Sequence, residues 1–452
     1  MNAKKKRLLV LMISSAVFYG AMFLLFGVGV YGDSQQYIDM HIHREPGYCL
    51  FLWFVRQIVR DLELSLRVAV VLQNILATVV TAIVVDFFSE EFSLKNIETV
   101  LLLLLHFAPH IVTVFMSRNS VVLANGILSE GLCYPLFQLF VVFCYKSMYD
   151  KSVKSSVWCC GLGFLLAITR SQFMIAFLIW MVLLAAKHIL QGKYKRIAIV
   201  ILVTAIMFVS RGYVIKCYNY VFNEKHFITN TYGGVNTLAN VMYASDREDG
   251  ERIESQVTRE FFYRMYDEMV AQGWNRERAG EGVLAQGVFL EEGHDRIKFD
   301  VLDPCFSDGL HSRGYSDYYD INIVADDMSM DMIKSILPSC FCVWLGNYLV
   351  LAMRGMMRCI GIPHPIIGIA VWGFYLFGFA MCFFELYKNK WSKEGWLMFI
   401  ALLSILALSF STAMTIMCLS RYMVYGFVPF YTAMLMILKK HWETNLKNKN
   451  IK

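Results

Sequence analysis

The sequence has little charge for its length. Of its 452 residues, 17% are charged and 57% are hydrophobic, whereas a soluble protein carries roughly 25% charged residues. This scarcity argues against a soluble globular protein and indicates a polytopic membrane protein. The net charge of +6 is scattered over short loops rather than gathered on one domain, so nucleic acid is not expected as a partner.

The chain also lacks the motifs of nucleotide-driven chemistry. No Walker loop, G-x-S-x-G elbow or H-E-x-x-H helix occurs, and no Rossmann fingerprint follows a predicted strand. The twelve cysteines include no C-x-x-C spacing, and most lie in apolar runs as small hydrophobic residues. The sequence indicates no cofactor. A divalent metal has no support either, because His41 and His43 offer two ligands without a clear third.

Apolar runs predict about ten transmembrane helices, since a span needs about 20 apolar residues. The first run exceeds the roughly 7–15 apolar residues of a signal peptide, and we interpret it as a retained anchor. The predicted spans are 8–30, 66–88, 97–116, 126–145, 157–170 and 171–190 as a broken pair, 197–221, 364–387, 395–417 and 423–438.

Basic residues cluster in short loops, and such loops stay in the cytoplasm. Both termini are therefore predicted to be cytoplasmic, with the polar loops 31–65, 117–125 and 222–362 outside. We interpret 331–360 as an interfacial helix, because a basic amphipathic stretch favours the headgroup region. The basic clusters are Lys4 to Arg7, Lys146 to Lys154, Lys187 to Arg196, Lys388 to Lys393 and the tail from Lys439.

The predicted fold class is an all-α polytopic membrane protein with interfacial helices in its first outer loop. Within the outer insertion, Glu251 to Gln272 is predicted to be helical, while 223–244 and 299–323 suggest loops and short strands. The insertion is thus expected to be mixed α/β or irregular. The predicted units are a transmembrane module 1–221 with a catalytic loop 31–65, the insertion 222–335, an interfacial helix 336–362 and the C-terminal helices 363–452.

Asp33 is the first candidate for chemistry, since it follows the first apolar run and precedes a polar stretch that contains His41 and Arg44. A carboxylate at the mouth of a membrane bundle is a candidate catalytic base. The alternative is structural: Asp33 fits the N-cap of a following helix, and Gln36, three residues on, completes a capping-box pattern.

Further ionisable residues stand near the outer ends of spans. Each costs at least about 2.5–3.5 kcal/mol at the bilayer centre, so such groups usually face a cavity or a partner. They predict a polar cavity that opens outward, although mutual pairing, for instance of Glu130 with Arg170, is an alternative. Arg44 is a candidate for binding phosphate. The residues near span ends are Glu130, Arg170, Arg211 and Arg421.

The first outer loop resembles that of the integral-membrane GT-C glycosyltransferases, in particular the protein O-mannosyltransferase and aminoarabinose transferase group. That group shows an acid, then a Tyr, then Arg-x-Pro-Gly-Tyr-Pro-Leu. Here Asp33 and Tyr37 are followed by Arg44-Glu45-Pro46-Gly47-Tyr48, with Cys49 in place of the Pro. Shorter matches are Ser129-Glu130, Thr169-Arg170 and Arg421-Tyr422. The insertion 222–335 matches nothing in that group.

The resemblance implies an inverting glycosyltransferase with a polyprenyl-phosphate-linked sugar as donor. Asp33 would be the general base, and Arg421, Arg170, Arg44 and Arg211 would bind the donor phosphate. Supporting or substrate-binding roles would fall to Tyr37, Glu130, Tyr48 and Tyr422. The acceptor would be a glycan, lipid or protein. The expected location is a bacterial plasma membrane, among membrane lipids, with an extracytoplasmic active site that serves cell-envelope polysaccharide biosynthesis.

Two alternatives stay open. A polysaccharide polymerase or ligase of the O-antigen type would also use lipid-linked sugars, but would concentrate its essential Arg and His residues in the late loop, 290–335. A lipid-linked sugar flippase would show inverted repeats with matching broken spans, and the sequence shows no such symmetry.

Overall fold

The computed structural model describes residues 3–115, 120–149, 153–231, 233–387 and 391–450. Within these ranges the secondary structure is helical, apart from one isolated parallel bridge between Gly29 and Gly126. Ten helices of this part are long and apolar enough to cross a membrane, as expected for a polytopic helical membrane protein. Parts of three predicted loops, at 116–119, 150–152 and 388–390, lie outside the described residues.

Before the insertion, the described residues form nine α-helices, and the bounds of the long ones follow the apolar runs. The predicted break between 157–170 and 171–190 is present at Arg170, whose backbone is extended (φ −157°, ψ 129°). The helices are α1 (Ala3–Phe26), α2 (Ser34–Ile38), α3 (Pro46–Ile58), α4 (Leu62–Glu91), α5 (Asn96–Phe115), α6 (Glu130–Tyr149), α7 (Lys154–Thr169), α8 (Ile175–Leu190) and α9 (Tyr194–Phe222).

The described part of the insertion is helical, so the prediction of a mixed α/β or irregular insertion is wrong there. The expected helix is present as α11, with Phe261, Phe262, Met265 and Met269 on its buried face. Residues 233–244, predicted as loops and strands, instead form a helix whose residues from Gly234 to Ala244 are almost all buried. The helices are α10 (Gly233–Ala244), α11 (Gln256–Ala271), α12 (Val283–Arg296) and α13 (Asp303–His311).

One long helix, α14 (Tyr318–Ile360), contains residues 336–360 of the segment 336–362, for which the sequence predicts an interfacial helix. Its 43 residues are long and apolar enough to cross a membrane. At its beginning the Tyr318 hydroxyl lies 3.4 Å from Nε2 of His43 in the first outer loop, and near its end Arg358 Nη1 donates to the Cys418 carbonyl at 3.1 Å. An interfacial position for this segment stays a prediction.

The chain ends with α15 (Pro365–Tyr387), α16 (Lys393–Ala413), α17 (Ser420–Met423) and α18 (Phe427–Asn450). Ion pairs gather many of the basic residues at one end of the bundle, which we call the basic end. Lys4 pairs with Glu90 there, Lys393 with Glu91, and Lys440 with Glu394. The opposite end, where α1 finishes and α2 begins, carries Asp33 and is called the Asp33 end.

A close backbone approach fixes α3 against α7 at the Asp33 end. Pro46 is the first residue of α3. Proline suits this position because the N–H group that it lacks would have no partner within the helix. A Cβ atom on Gly47 would lie 2.8 Å from the Cα atom of Thr169. Only glycine therefore lets α3 pack this near to Arg170.

We predict that Gly47→Ala destabilises the protein by about 1–3 kcal/mol, the usual cost of overpacking a tight contact. The measurement is thermal unfolding of the detergent-solubilised protein. Gly161→Ala, on α7 with open space around the added methyl group, is the matched control and should not lower the melting temperature. Equal melting temperatures for the two variants would contradict the packing argument.

Candidate active site

A cavity of about 590 Å³ lies at the Asp33 end of the bundle, within the range of roughly 300–1,000 Å³ that is usual for ligand sites. Its lining combines charged residues from the first loop, the α7–α8 break and α17 with residues of the insertion. The predicted site residues among the lining are Asp33, Tyr37, Arg44, Arg170, Arg211, Arg421 and Tyr422.

The Asp33 carboxylate is held between two arginines. Arg44 Nη2 donates to its Oδ1 atom at 2.8 Å, and Arg421 Nη2 donates to its Oδ2 atom at 2.9 Å. Both guanidinium side chains are 13% exposed, whereas Asp33 is 32% exposed. Asp33 therefore faces the cavity, in direct contact with Arg44 and Arg421.

The capping alternative for Asp33 is wrong. Asp33 stands at the N-cap position of α2, but its backbone is helical and its side chain makes no capping hydrogen bond. Gln36 does not complete a capping box either, because its side-chain oxygen accepts from Nε of Arg44 at 2.8 Å. The Arg44 side chain thus spans from Gln36 to Asp33, and α2 helps to aim it.

A backbone bridge sets the position of the Asp33 loop. Gly29 donates to the carbonyl of Asn125 at 2.9 Å and accepts from Ile127 at 2.8 Å. The bridge joins the segment that leads to Asp33 with the segment that leads to Glu130. The Gln73 amide donates to the carbonyls of Ala124 and Gly126, both at 3.0 Å, and fixes the second segment to α4.

A second carboxylate, Glu130, lies behind the arginines. Its side chain is 1% exposed, and its Oε2 atom is 2.9 Å from Nη1 of Arg170. Its Oε1 atom is 3.8 Å from Nε of Arg421. The pairing alternative for Glu130 and Arg170 is therefore present, and the pair adjoins Arg421. Burial of both groups is tolerated because each charge compensates the other.

Aromatic rings support the arginines. The Arg44 guanidinium lies 4.8 Å from the Tyr37 ring centroid, and the Arg170 guanidinium lies 4.5 Å from the Tyr422 centroid. Cation–π contacts of this kind contribute about 0.5–2 kcal/mol. Tyr48 is placed differently, since it is fully buried and its hydroxyl donates to Gln73 at 2.7 Å. Tyr48 is thus a packing residue behind the cavity.

Arg211 lines the same cavity but belongs to a separate group. Its Nη2 atom is 3.3 Å from Oε1 of Glu45, and its Nε atom donates to the carbonyl of Ala167 at 2.9 Å. It makes no ion pair with Asp33 or Glu130 among the described contacts. The cavity therefore has an arginine pole, formed by Asp33, Arg44, Glu130, Arg170 and Arg421, and a second pole around Glu45.

Sequence reasoning missed several polar residues of the lining. Gln172 links two segments of the arginine pole. Its side-chain oxygen accepts from Nε of Arg170 at 3.1 Å, and its side-chain nitrogen donates to the carbonyl of Tyr422 at 2.9 Å. Its position two residues after Arg170 was the available signal. The others carry no motif and lie in the insertion or, for Thr412, at the end of α16: Thr229, Asn230, Asn236, Asp295 and Thr412.

The histidines of the first loop do not form a metal site with each other. Both ring nitrogens of His43 have partners, Thr231 at 3.1 Å and Tyr318 at 3.4 Å. Burial and the nearby charge of His41 lower the pKa of His43 well below 6.5, so its ring is neutral. In the described chain, ligand atoms of Glu224, His226 and Asp317 lie within 4.8 Å of one another, away from the cavity lining.

The arginines decide the protonation state of Asp33. Burial alone would raise the pKa of this carboxyl group, but the charges of Arg44 and Arg421 outweigh burial and lower its pKa below the ordinary value of 3.8. Asp33 is therefore ionised at neutral pH. While both arginines hold it, it is a weak proton acceptor.

Comparison of the chain with protein-family models, with curated proteins and with solved structures found no match. The resemblance to GT-C glycosyltransferases consequently rests on the short motifs around Asp33, Arg44, Glu130, Arg170 and Arg421 alone.

We predict a pH dependence of stability that comes from Asp33. Because its pKa is lower in the folded protein than in the unfolded chain, its contribution is fully present above pH 3.8 and is lost as the pH falls through the folded value. Asp33→Asn should thus lower the melting temperature at pH 7, and the difference should shrink below about pH 4. Asp39→Asn, in an exposed neighbour, is the control; an Asp33→Asn difference that stays constant with pH would refute the explanation.

We also predict that Glu130→Gln costs about 3–5 kcal/mol, because it leaves a buried arginine without its counter-charge. Chemical denaturation in detergent measures the effect. Glu63→Gln removes an ion pair with Arg67 whose side chains are 77% and 61% exposed, and should cost at most about 1 kcal/mol. Similar losses in both variants would show that the Glu130 charge is not paired as described.

Proposed function

We propose that this protein is a GT-C-like membrane glycosyltransferase that transfers a sugar from a polyprenyl-phosphate donor to an acceptor hydroxyl. The observation that carries the proposal is the arginine pole, in which an ionised carboxylate and three arginines meet in a cavity of about 590 Å³. A carboxylate is a suitable general base, and guanidinium groups are suited to bind phosphate oxygens.

The charges of the arginine pole match those of such a reaction. Three arginines face the two carboxylates Asp33 and Glu130, which leaves one positive charge for the single negative charge of a phosphodiester donor. Once Asp33 has taken a proton, two positive charges remain. The leaving polyprenyl phosphate is a monoester with a charge near −2, because its second pKa is about 6.

Apolar residues of the same cavity suit the lipid part of the donor. They surround the entrance to α8, the outer part of α9 and the segment before α17, and they adjoin the arginines in the lining. These residues are Met174, Ile175, Ile215, Ile416, Met417 and Leu419. A water-soluble nucleotide sugar has no lipid chain that could pack against such an apolar surface.

These positions suit an inverting transfer step. The acceptor oxygen forms a bond to the anomeric carbon while the bond between that carbon and the phosphate oxygen breaks, with inversion. Asp33 takes the proton of the acceptor hydroxyl, and the bonding electrons leave with the polyprenyl phosphate. The arginines stabilise the charge that develops on the phosphate, an effect worth about 2.7–4 kcal/mol for one donor group.

Donor binding would also activate the base. In the present arrangement Arg44 and Arg421 occupy both oxygens of Asp33 at 2.8 and 2.9 Å. A phosphate group competes for the same Nη atoms. When it takes them, Asp33 loses the charges that lower its pKa and regains a lone pair for the acceptor proton. Deprotonation of the acceptor would thereby await a bound donor.

The orientation in the membrane is part of the proposal. Lys4, Lys393 and Lys440 gather at the basic end, and the positive-inside rule favours that end in the cytoplasm. The Asp33 end would then face outward, in a bacterial plasma membrane, where lipid-linked sugars supply envelope polysaccharides.

The described contacts do not favour the O-antigen type of polymerase. That class would use Arg and His residues of the late loop, 290–335. Here His294 is buried against the carbonyl of Asn236, Arg296 pairs with Asp300, and Arg313 pairs with Glu260. None of the three residues lines the cavity.

A transfer assay with purified protein and a panel of polyprenyl-phosphate sugars tests the proposal. We expect Asp33→Asn to lower the transfer rate by about 10²–10⁴-fold, the usual contribution of a positioned base. The same variant should bind polyprenyl phosphate more tightly than the wild type, because the competitor for Arg44 and Arg421 has lost its charge. Arg421→Ala should lose both binding and transfer.

The control is Arg56→Gln, an exposed arginine of α3 whose guanidinium contacts the Ile38 carbonyl and lies outside the cavity lining. It should transfer at the wild-type rate. Full activity of Asp33→Asn would rule out Asp33 as the base. Weaker binding of polyprenyl phosphate by Asp33→Asn would refute the competition between carboxylate and phosphate.

A further inference from the structure

The cavity contains a second set of polar residues that the donor would not use. This Glu45 pole consists of Glu45, Arg211, Asn230, Asn236, Asp295 and Phe299, and all six residues line the same cavity as Asp33. Glu45 directly precedes α3, and Arg211 belongs to α9. The other four come from the segment after α9 and from the insertion, which the resemblance leaves without a role.

Glu45 and the residues that it contacts present fixed hydrogen-bonding groups to the cavity. Oε1 of Glu45 accepts from Nη2 of Arg211 at 3.3 Å and from Nδ2 of Asn230 at 3.2 Å. The amide oxygen of Asn230 is enclosed and has no hydrogen-bond partner among the described residues. An enclosed acceptor without a donor costs free energy, and a ligand hydroxyl would satisfy it.

The insertion contributes Asp295 and Phe299 to the Glu45 pole, at the end of α12 and in the helical run 297–302 that continues it. Asp295 and Phe299 stand four residues apart, a spacing that puts side chains on one helix face. Their side chains are largely open, with Asp295 52% and Phe299 48% exposed. The Lys298 ammonium, bound to Asp303 at 2.9 Å, lies 3.9 Å from the Phe299 ring centroid and helps to hold the ring in place.

We propose that the Glu45 pole is the acceptor subsite and that it binds a neutral sugar. The inference rests on the proposed function for its link to catalysis. Sugar hydroxyls both donate and accept, so they suit an arrangement of carboxylates and amides. The apolar face of a pyranose ring suits an exposed aromatic ring such as Phe299.

The charges of this pole select against other acceptors. Arg211 is already paired with Glu45, and Asp295 adds a further negative charge to the lining. A phosphate acceptor would therefore meet repulsion here, whereas the net positive charge belongs to the arginine pole, with three arginines against two carboxylates. A neutral polyhydroxylated acceptor meets no such penalty, because it needs hydrogen bonds rather than counter-charges.

The test is binding of neutral disaccharides to the purified full-length protein, measured by saturation-transfer NMR in detergent. The probes are gluco-, galacto-, manno- and N-acetylglucosamine-based disaccharides, with glucose 6-phosphate as the charged comparison. We expect at least one neutral disaccharide to bind. Asp295→Ala and Phe299→Leu should each weaken it roughly tenfold, as expected for the loss of one hydrogen bond to a charged group or of one ring contact.

Matched variants separate the subsite from general damage. Asp300→Ala removes a nearby carboxylate that pairs with Arg296 and does not line the cavity, and it should leave binding unchanged. Phe299→Trp keeps a ring and should retain binding. All variants should bind polyprenyl phosphate as the wild type does, which shows that the fold is intact.

Each outcome decides the inference. Binding of a neutral disaccharide that Asp295→Ala weakens roughly tenfold supports it, even if polyprenyl phosphate does not bind, and in that case only the proposed donor chemistry fails. Binding of glucose 6-phosphate alone, the absence of any disaccharide binding, or binding that survives both Asp295→Ala and Phe299→Leu would overturn it.

Discussion

The contact on which the site depends is the pair of hydrogen-bonded ion pairs that Asp33 makes with Arg44 and Arg421. Asp33 and Arg421 are 388 residues apart in the chain, so the first loop and the last membrane helix meet only when the whole bundle has assembled. Ionised groups at the end of a membrane bundle are costly unless they are paired. Assembly of the fold and assembly of the site are therefore the same event.

The layer behind this contact explains why the arginines stay in place. Glu130 compensates Arg170 and lies near Arg421, and the Tyr422 ring lies beside both guanidinium groups. If the Asp33 carboxylate moves away, Arg421 is still held by Glu130 and the Tyr422 ring, and Arg44 is still held by the Tyr37 ring. This arrangement lets a phosphate replace the Asp33 carboxylate without loss of the pocket, which is what a substrate-dependent base requires.

The sequence predicted Glu130, Arg170 and Arg421 because ionisable residues at span ends need a cavity or a partner, and it predicted Asp33 and Arg44 from the polar first loop. Arg211 was predicted with the span-end residues, but it pairs with Glu45 instead. It did not predict that Gln36 binds Arg44. The sequence pattern of a capping box does not distinguish a glutamine that caps a helix from one that accepts a hydrogen bond from an arginine. Within the insertion, α11 was predicted, but α10 was not, because tertiary packing overrides local preference, as where Gly234 lies against Asp326. Glu45, Asn230 and Asp295 carry no motif, and only their meeting in one cavity marks them.

The most direct test of the account is a cryo-electron microscopy structure of the protein with polyprenyl phosphate bound. The account predicts that phosphate oxygens lie within hydrogen-bonding distance of Arg44 and Arg421, and that Asp33 has moved out of contact with at least one of them. A phosphate bound elsewhere, with both Asp33 contacts still near 2.8 and 2.9 Å, would contradict it.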